Sequence, residues 1–141
     1  MRYLGIDYGT RKVGLALSDE AGTMGFPKGI VPNAPSLAAD IADLIAREGV
    51  DAVVIGESLD FQGNENPVAR QAKAFALALA HKTDVPIAWE PEMLTTREAR
   101  RGPGQADEKP DRRPRDHAPV DASAAALILT SYLTKQQNTH T

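Results

Sequence analysis

Three carboxylates stand where this chain could do chemistry: Asp7, Glu92 and Asp121. Asp7 ends an apolar run from Tyr3 to Ile6. Glu92 lies just past the last short apolar run. Asp121 opens the last long apolar segment. Carboxylates gathered in this way can hold a pair of divalent ions about 3.5–4 Å apart, which activates water and stabilises the leaving oxygen in phosphodiester cleavage. An all-oxygen ligand set suits magnesium or manganese. Without cations the same acids would repel one another. Each acid also has a plainer reading. Asp121 could be an N-cap, an ordinary role for Asp at a helix start. Glu92 could be a solvated loop residue with Glu90 as the functional acid in its place, and Pro91 between them obscures the local geometry.

Phosphate-handling groups lie beside Asp7. The Tyr8-Gly9-Thr10 turn offers backbone amides and the Thr10 hydroxyl. Arg11 and Lys12 follow and could position a nucleic-acid backbone, because phosphate contacts position while base contacts specify. The plainer alternative is a solvated basic turn. Histidine chemistry has little support: His81 falls at a helix end, His140 in the tail and His117 in a breaker-rich loop.

The elements that must carry these residues follow from periodicity. Residues 2–8 and 12–19 alternate as two strands around a Gly-containing turn, the pattern of a hairpin. A weaker third strand is expected near 24–31, before Pro32, Asn33 and Pro35 break the chain. Ser36 is the expected N-cap of a helix that ends before Gly49, with Leu37, Ile41, Leu44 and Ile45 on one face. Residues 51–56 and 85–89 are short apolar runs typical of buried parallel strands. Between them, 58–66 reads as a polar loop, and Val68, Ala72, Phe75 and Leu79 mark a second helix. A third helix is expected over 94–101. Asp121 then opens a final helix, apolar nearly all round and so expected to be well buried. The tail from Lys135 is polar and expected to fray.

The segment 102–119 holds four of the chain's ten prolines and no apolar period, so it reads as a mobile loop. Between Arg97 and His117 the charge is +2, while the rest of the chain carries −5. Arg112, Arg113 and Arg115 in this window are candidate nucleic-acid contacts on an otherwise acidic body. With 141 residues, 42% hydrophobic and 25% charged, the chain suits one domain with a real core. It has no cysteine, which excludes disulfides and thiolate metal sites. No apolar stretch approaches the roughly 18 residues needed to cross a bilayer, and no signal segment opens the chain. A soluble cytoplasmic protein without a membrane partner is the expectation.

The element order gives an α/β fold with a mixed sheet and helices for both faces. The motifs GIDYGTRKVGLALSD at 5–19, IGESLDFQGNENPVARQAKAFALAL at 55–79, EMLTTREAR at 92–100 and VDASAAALIL at 120–129 resemble the YqgF/RuvX-like proteins. These are small bacterial nucleases of the RNase H-like superfamily, and the match spans about residues 2–133. The resemblance implies a single RNase H-like domain over 1–141, with a five-stranded sheet of order 3-2-1-4-5. It also implies a metal-dependent nuclease with Asp7, Glu92 and Asp121 as its triad, using Mg²⁺ or Mn²⁺, two ions in all. Family members are associated with 5′-end maturation of pre-16S rRNA in ribosome biogenesis, and with Holliday junction resolution in DNA recombination and repair. Junction resolution needs two coordinated cuts, hence a homodimer.

Two departures from the family pattern stand out. Glu57-Ser58 replaces Leu-Pro after the glycine closing the fourth strand, and Glu57 could add a carboxylate there. Pro91-Glu92-Met93-Leu94-Thr95 replaces Asp-Glu-Arg-Leu-Thr, so an acid and an Arg are missing beside Glu92, and Glu90 stays as a reserve acid. Two other classes compete with a nuclease. Sugar kinases and actin share the Asp-x-Gly-Thr hairpin but need two such halves. A non-catalytic ribosome-associated or nucleic-acid-binding module has no use for three intact acids.

Overall fold

A computed structural model of the chain describes residues 1–58, 67–92 and 122–139. Its elements run β1 (Tyr3–Tyr8), β2 (Lys12–Ser18), β3 (Gly25–Pro32), α1 (Leu37–Glu48), β4 (Ala52–Ser58), α2 (Pro67–Ala80), β5 (Ile87–Glu92) and α3 (Ala122–Thr139). The five strands form one sheet of order β3-β2-β1-β4-β5, the mixed order that the family resemblance implies. β1, β2 and β3 pair antiparallel in sequence, and β4 and β5 add in parallel on the other side of β1.

Strand alternation sorts the side chains into two unlike layers. On one face Leu4, Ile6, Val13, Leu15, Val53 and Ile55 pack with Leu37, Ile41, Leu44 and Ile45 of α1 and Phe75 and Leu79 of α2. The expected α1 stripe is therefore the buried one, and the helix closes on Gly49 in the left-handed conformation (φ 67°), which glycine adopts without a Cβ penalty. Ser36 precedes the helix as expected but makes no side-chain cap; its hydroxyl donates to Asp40 instead, at 2.9 Å.

On the other face Ala16 and Val54 meet Ala125, Ala126, Leu129 and Leu133 of α3. This layer is thin because the strands contribute glycine. A Cβ on Gly5 would stand 2.8 Å from Leu129 Cβ and 3.0 Å from the Ala125 carbonyl. One on Gly25 would stand 3.0 Å from the Ala126 carbonyl and from Leu129 Cβ. α3 thus touches all five strands. Its residues Ala125 and Leu129 lie over Gly5, and the Tyr132 ring lies 6.1 Å from that of Tyr3. The helix therefore descends β1 against the strand direction, with its N-terminal end toward Asp7.

Four boundaries differ from the sequence pattern by two residues or more. β4 continues through Glu57 to Ser58, and β5 starts at Ile87 and runs to Glu92, because the parallel ladder carries on through Gly56–Glu90, Glu57–Pro91 and Ser58–Glu92. Pro91 is tolerated because β5 is an edge strand. α3 continues past Lys135 to Thr139, since Lys135 is bonded to the sheet rather than frayed. Nor is α3 buried all round: Leu127 is 63% exposed. No helix among the described residues is long and apolar enough to cross a membrane. Of the expected loop 58–66, Ser58 belongs to β4; residues 59–66, the helix expected at 94–101 and the loop expected at 102–119 lie outside the described residues. In the β2–β3 turn, the Thr23 hydroxyl and then the Thr23 amide hold the Asp19 carboxyl down to about 2. That acid is a turn organiser.

The close approach at Gly5 makes a direct forecast. Gly5→Ala overpacks the β1–α3 contact and should destabilise the protein by about 1–3 kcal/mol, read as a lowered urea midpoint with an unchanged slope.

Candidate functional site

Three parallel strands, β1, β4 and β5, end on the same edge of the sheet, the edge where ligands bind in open α/β sheets. Asp7 is the next-to-last residue of β1, its backbone opposite Gly14. It shares the α3 face with Gly5 by alternation and is only 9% exposed. A carboxylate so buried must be compensated by donors or a cation. Glu92 is the last residue of β5, its backbone opposite Ser58, so it ends the strand where the sequence pattern put it just beyond. Asp121 lies outside the described residues; it immediately precedes Ala122, the first residue of α3. The backbone thus brings the end of β1, the end of β5 and the start of α3 toward one edge.

The donor set is all oxygen, which fits magnesium or manganese and excludes a thiolate-type site. Among the described residues no three His, Cys, Asp or Glu side chains lie close enough to hold a metal ion. Of the three acids, Asp7 is the one whose side chain falls within that set.

Glu90 has a different setting. Ile6 pairs with Ile55 and Ile55 with Trp89, so one residue further on Asp7, Gly56 and Glu90 stand level. Asp7 and Glu90 are two strands apart, about 10 Å between backbones. The Glu90 carboxylate accepts from Ser131 Oγ at 2.7 Å and from Lys135 Nζ at 2.7 Å, and its side chain is 4% exposed. The reserve acid is therefore already committed to α3. Glu57 follows Ile55 by two along β4, and alternation puts it on the α1–α2 face, opposite Asp7.

The turn after Asp7 is held from outside the hairpin. Asn33 Nδ2 donates to the Gly9 carbonyl at 2.8 Å, and the Asn33 amide donates to the Arg11 carbonyl at 2.8 Å. Thr10, Arg11 and Lys12 are all exposed on this braced turn. Sequence reasoning missed Asn33, treating Pro32-Asn33-Ala34-Pro35 only as a break. The available signal was an amide side chain in a segment that had to pass beside the hairpin tip. A cleft of about 450 Å³ lies next to the turn, lined by Tyr8, Thr10, Asn33, Gln71 and Phe75 among others. It contains no acid and sits on the α1–α2 side of the sheet, so it is separate from the Asp7 edge. His81 follows α2 and is exposed. Arg112, Arg113, Arg115, His117 and His140 lie outside the described residues.

Comparison with known proteins adds to this geometry. Residues 1–135 match the family model described as "RuvX: Holliday junction resolvase". A protein of Oleidesulfovibrio alaskensis named "Putative pre-16S rRNA nuclease" is 35% identical over 135 residues, which is 94% of this chain and 92% of that protein. One of the same name from Anaeromyxobacter sp. strain Fw109-5 is 39% identical over 136 residues, 94% of this chain and 96% of that protein. Among solved structures, Thermus thermophilus RuvC in complex with a Holliday junction substrate superposes with a TM-score of 0.57 at 18% identity, covering 97% of this chain and 96% of that one. The fowlpox virus Holliday junction resolvase gives 0.53 at 15% identity, covering 96% and 99%. At such identities the structural likeness is one of fold.

The braced turn carries its own forecast. Asn33→Ala removes the Gly9 bond, a loss of about 1 kcal/mol. Amide hydrogen exchange at Thr10, Arg11 and Lys12 should then accelerate while the β1 core amides stay protected.

Proposed function

The chain belongs to the RuvX family, and from that membership we propose that it is a divalent-metal-dependent nuclease acting on structured nucleic acid, with the 5′ end of pre-16S rRNA as its substrate. The observation that carries this reading is the convergence of the Asp7 end of β1, the Glu92 end of β5 and the N-terminal end of α3 on one sheet edge. Relatives at 35–39% identity that bear the pre-16S rRNA nuclease name favour RNA over other substrates.

Asp7, Glu92 and Asp121 would hold the Mg²⁺ or Mn²⁺ ions, two in this reading. When bound, such ions make the attacking water more acidic and offset charge on the leaving oxygen. The chain's own residues do the remaining work. Asp7 is fixed by its strand, so its carboxylate needs little reorganisation. The Gly9 turn, braced by Asn33, offers amides and the Thr10 hydroxyl to a phosphate. Arg11 and Lys12, exposed beside it, grip the backbone without reading sequence. Arg112, Arg113 and Arg115 extend that grip from the 102–119 segment.

The family description favours a second reading, cleavage of four-way DNA junctions by a homodimer. The two part on substrate. A labelled RNA carrying the 16S 5′ leader and a labelled four-way junction, each offered with Mg²⁺ or Mn²⁺, should show cleavage of the RNA. Cleavage of the junction alone would select the second reading.

Two forecasts follow from the residue roles. Asp7→Asn removes a ligand charge and little volume. It should lower the cleavage rate at least about 100-fold, since metal stabilisation is worth several kcal/mol, with an unchanged circular dichroism spectrum. Asp121→Asn should do the same. As a mere cap it would be near neutral, because Asn caps as well as Asp; activity at the wild-type level would remove Asp121 from the mechanism.

The basic segment is tested through salt. Replacing Arg112, Arg113 and Arg115 together by alanine should weaken binding alike for all sequences and flatten the salt dependence, by about 1 in slope for each phosphate that is no longer neutralised. Unchanged affinity at low salt would leave these arginines as solvated surface charges.

A further inference from the structure

Glu90 is a buried charge for which the nuclease chemistry has no use. Its side chain is 4% exposed, in a layer whose buried apolar residues include Ala16 and Val54 of the sheet and Ala125, Ala126 and Leu129 of α3. An apolar residue of similar size would cost less there, since a buried ion pair rarely gains stability over a hydrophobic pair. What such a pair supplies is direction. Both partners of Glu90, Ser131 and Lys135, lie on α3 one turn apart.

The apolar part of the α3 packing lacks that directionality. Gly5 and Gly25 face Ala125, Ala126 and Leu129, and small smooth surfaces set a distance but let a helix slide or roll. Toward β3 the helix is fixed by Thr130 Oγ1, which accepts from the Gly25 amide at 3.0 Å. Toward β5 it is fixed by Glu90. Ala122 stands nine residues before Ser131, so it lies about 14 Å further along the axis. Glu92 stands two residues after Glu90 on the strand. A slide of α3 by one residue, about 1.5 Å, would displace its start by far more than the few tenths of an ångström that metal coordination tolerates.

We infer that Glu90 is a positioning residue: through Ser131 and Lys135 it brackets α3 to β5 and thereby sets the start of α3 against the end of β5 for metal binding. This rests on the nuclease reading proposed for the same edge.

The test measures Mn²⁺ affinity by calorimetry, the Mg²⁺ concentration for half-maximal cleavage, KM for the nucleic acid and the melting temperature. The variants are Glu90→Gln, Ser131→Ala and Lys135→Met in the full chain. Leu133→Ala serves as the control: it is a buried α3 residue that should lower the melting temperature without touching the bracket. Each bracket variant should weaken Mn²⁺ binding and raise the Mg²⁺ requirement about 10-fold or more, as loss of residues supporting metal ligands does, with KM unchanged. Glu90→Gln/Lys135→Met should bind Mn²⁺ better than Lys135→Met, because the double change leaves no unpaired buried carboxylate. Ser131→Ala, the mildest change, keeps the test valid if the others fold poorly. Bracket variants that lose melting temperature as Leu133→Ala does, with wild-type Mn²⁺ affinity, would overturn the inference and leave the nuclease reading standing. A wild-type chain that takes up no Mn²⁺ would overturn both.

Discussion

The structure depends on how closely α3 lies on its sheet. Two glycines allow it: Gly5 at the centre of β1 and Gly25 at the start of β3, each with α3 atoms 2.8–3.0 Å from where a Cβ would stand. Because β1 is the central strand, its neighbour on that face sets the level of the whole edge. α3 lies against β1 in the opposite direction, so the chain arrives from the 93–121 segment at the end of the sheet where Asp7 stands. A thicker layer would lift that arrival point away from the strand ends.

The two faces of the sheet divide the labour. The α1–α2 face holds the large aliphatic residues, Leu4, Ile6, Val13, Ile41, Ile55 and Leu79, all almost fully buried, and contributes most of the hydrophobic stabilisation. The α3 face is small-residue and polar at its margins, with Asp7, Ser18 and Glu90 as the buried polar side chains among the described residues. Each anchors something. Ser18 Oγ accepts from the Tyr3 amide at 2.8 Å and donates to the Asp19 carbonyl, closing the hairpin at the end remote from Asp7. Glu90 ties β5 to α3. Asp7 lies at the sheet edge for which metal binding is proposed. The stiff face thus carries a finer, directional one.

Much of this was legible in the sequence for a definite reason: it is local or periodic. The hairpin shows in the alternation of Val13, Leu15 and Leu17, the α1 stripe in Leu37, Ile41, Leu44 and Ile45, and the helix end in Gly49. The three acids stood out by their positions at the ends of the periodic segments, while the sheet order and the grouping of those acids as a triad came through resemblance to a family. What stayed hidden depends on contacts between distant residues. Glu90 and Lys135 are 45 residues apart, and neither carries a local mark of the other, so one read as a spare acid and the other as the start of a frayed tail. Asn33 reaches Gly9 across 24 residues and read as part of a break. The strand ends at Ser58 and Glu92 escaped because a parallel ladder continues through polar residues as long as its backbone partners do, and Pro91 on an edge strand does not stop it.

The central claim is that this sheet edge gathers carboxylates around a pair of divalent ions. Electron paramagnetic resonance of the full chain titrated with Mn²⁺ tests it most directly, because it counts bound ions and reports their mutual coupling without requiring a substrate. The account predicts uptake of about two Mn²⁺ per chain, with the spin coupling of ions about 4 Å apart. A spectrum that stays that of free aqueous Mn²⁺, with no uptake at millimolar metal, would contradict it.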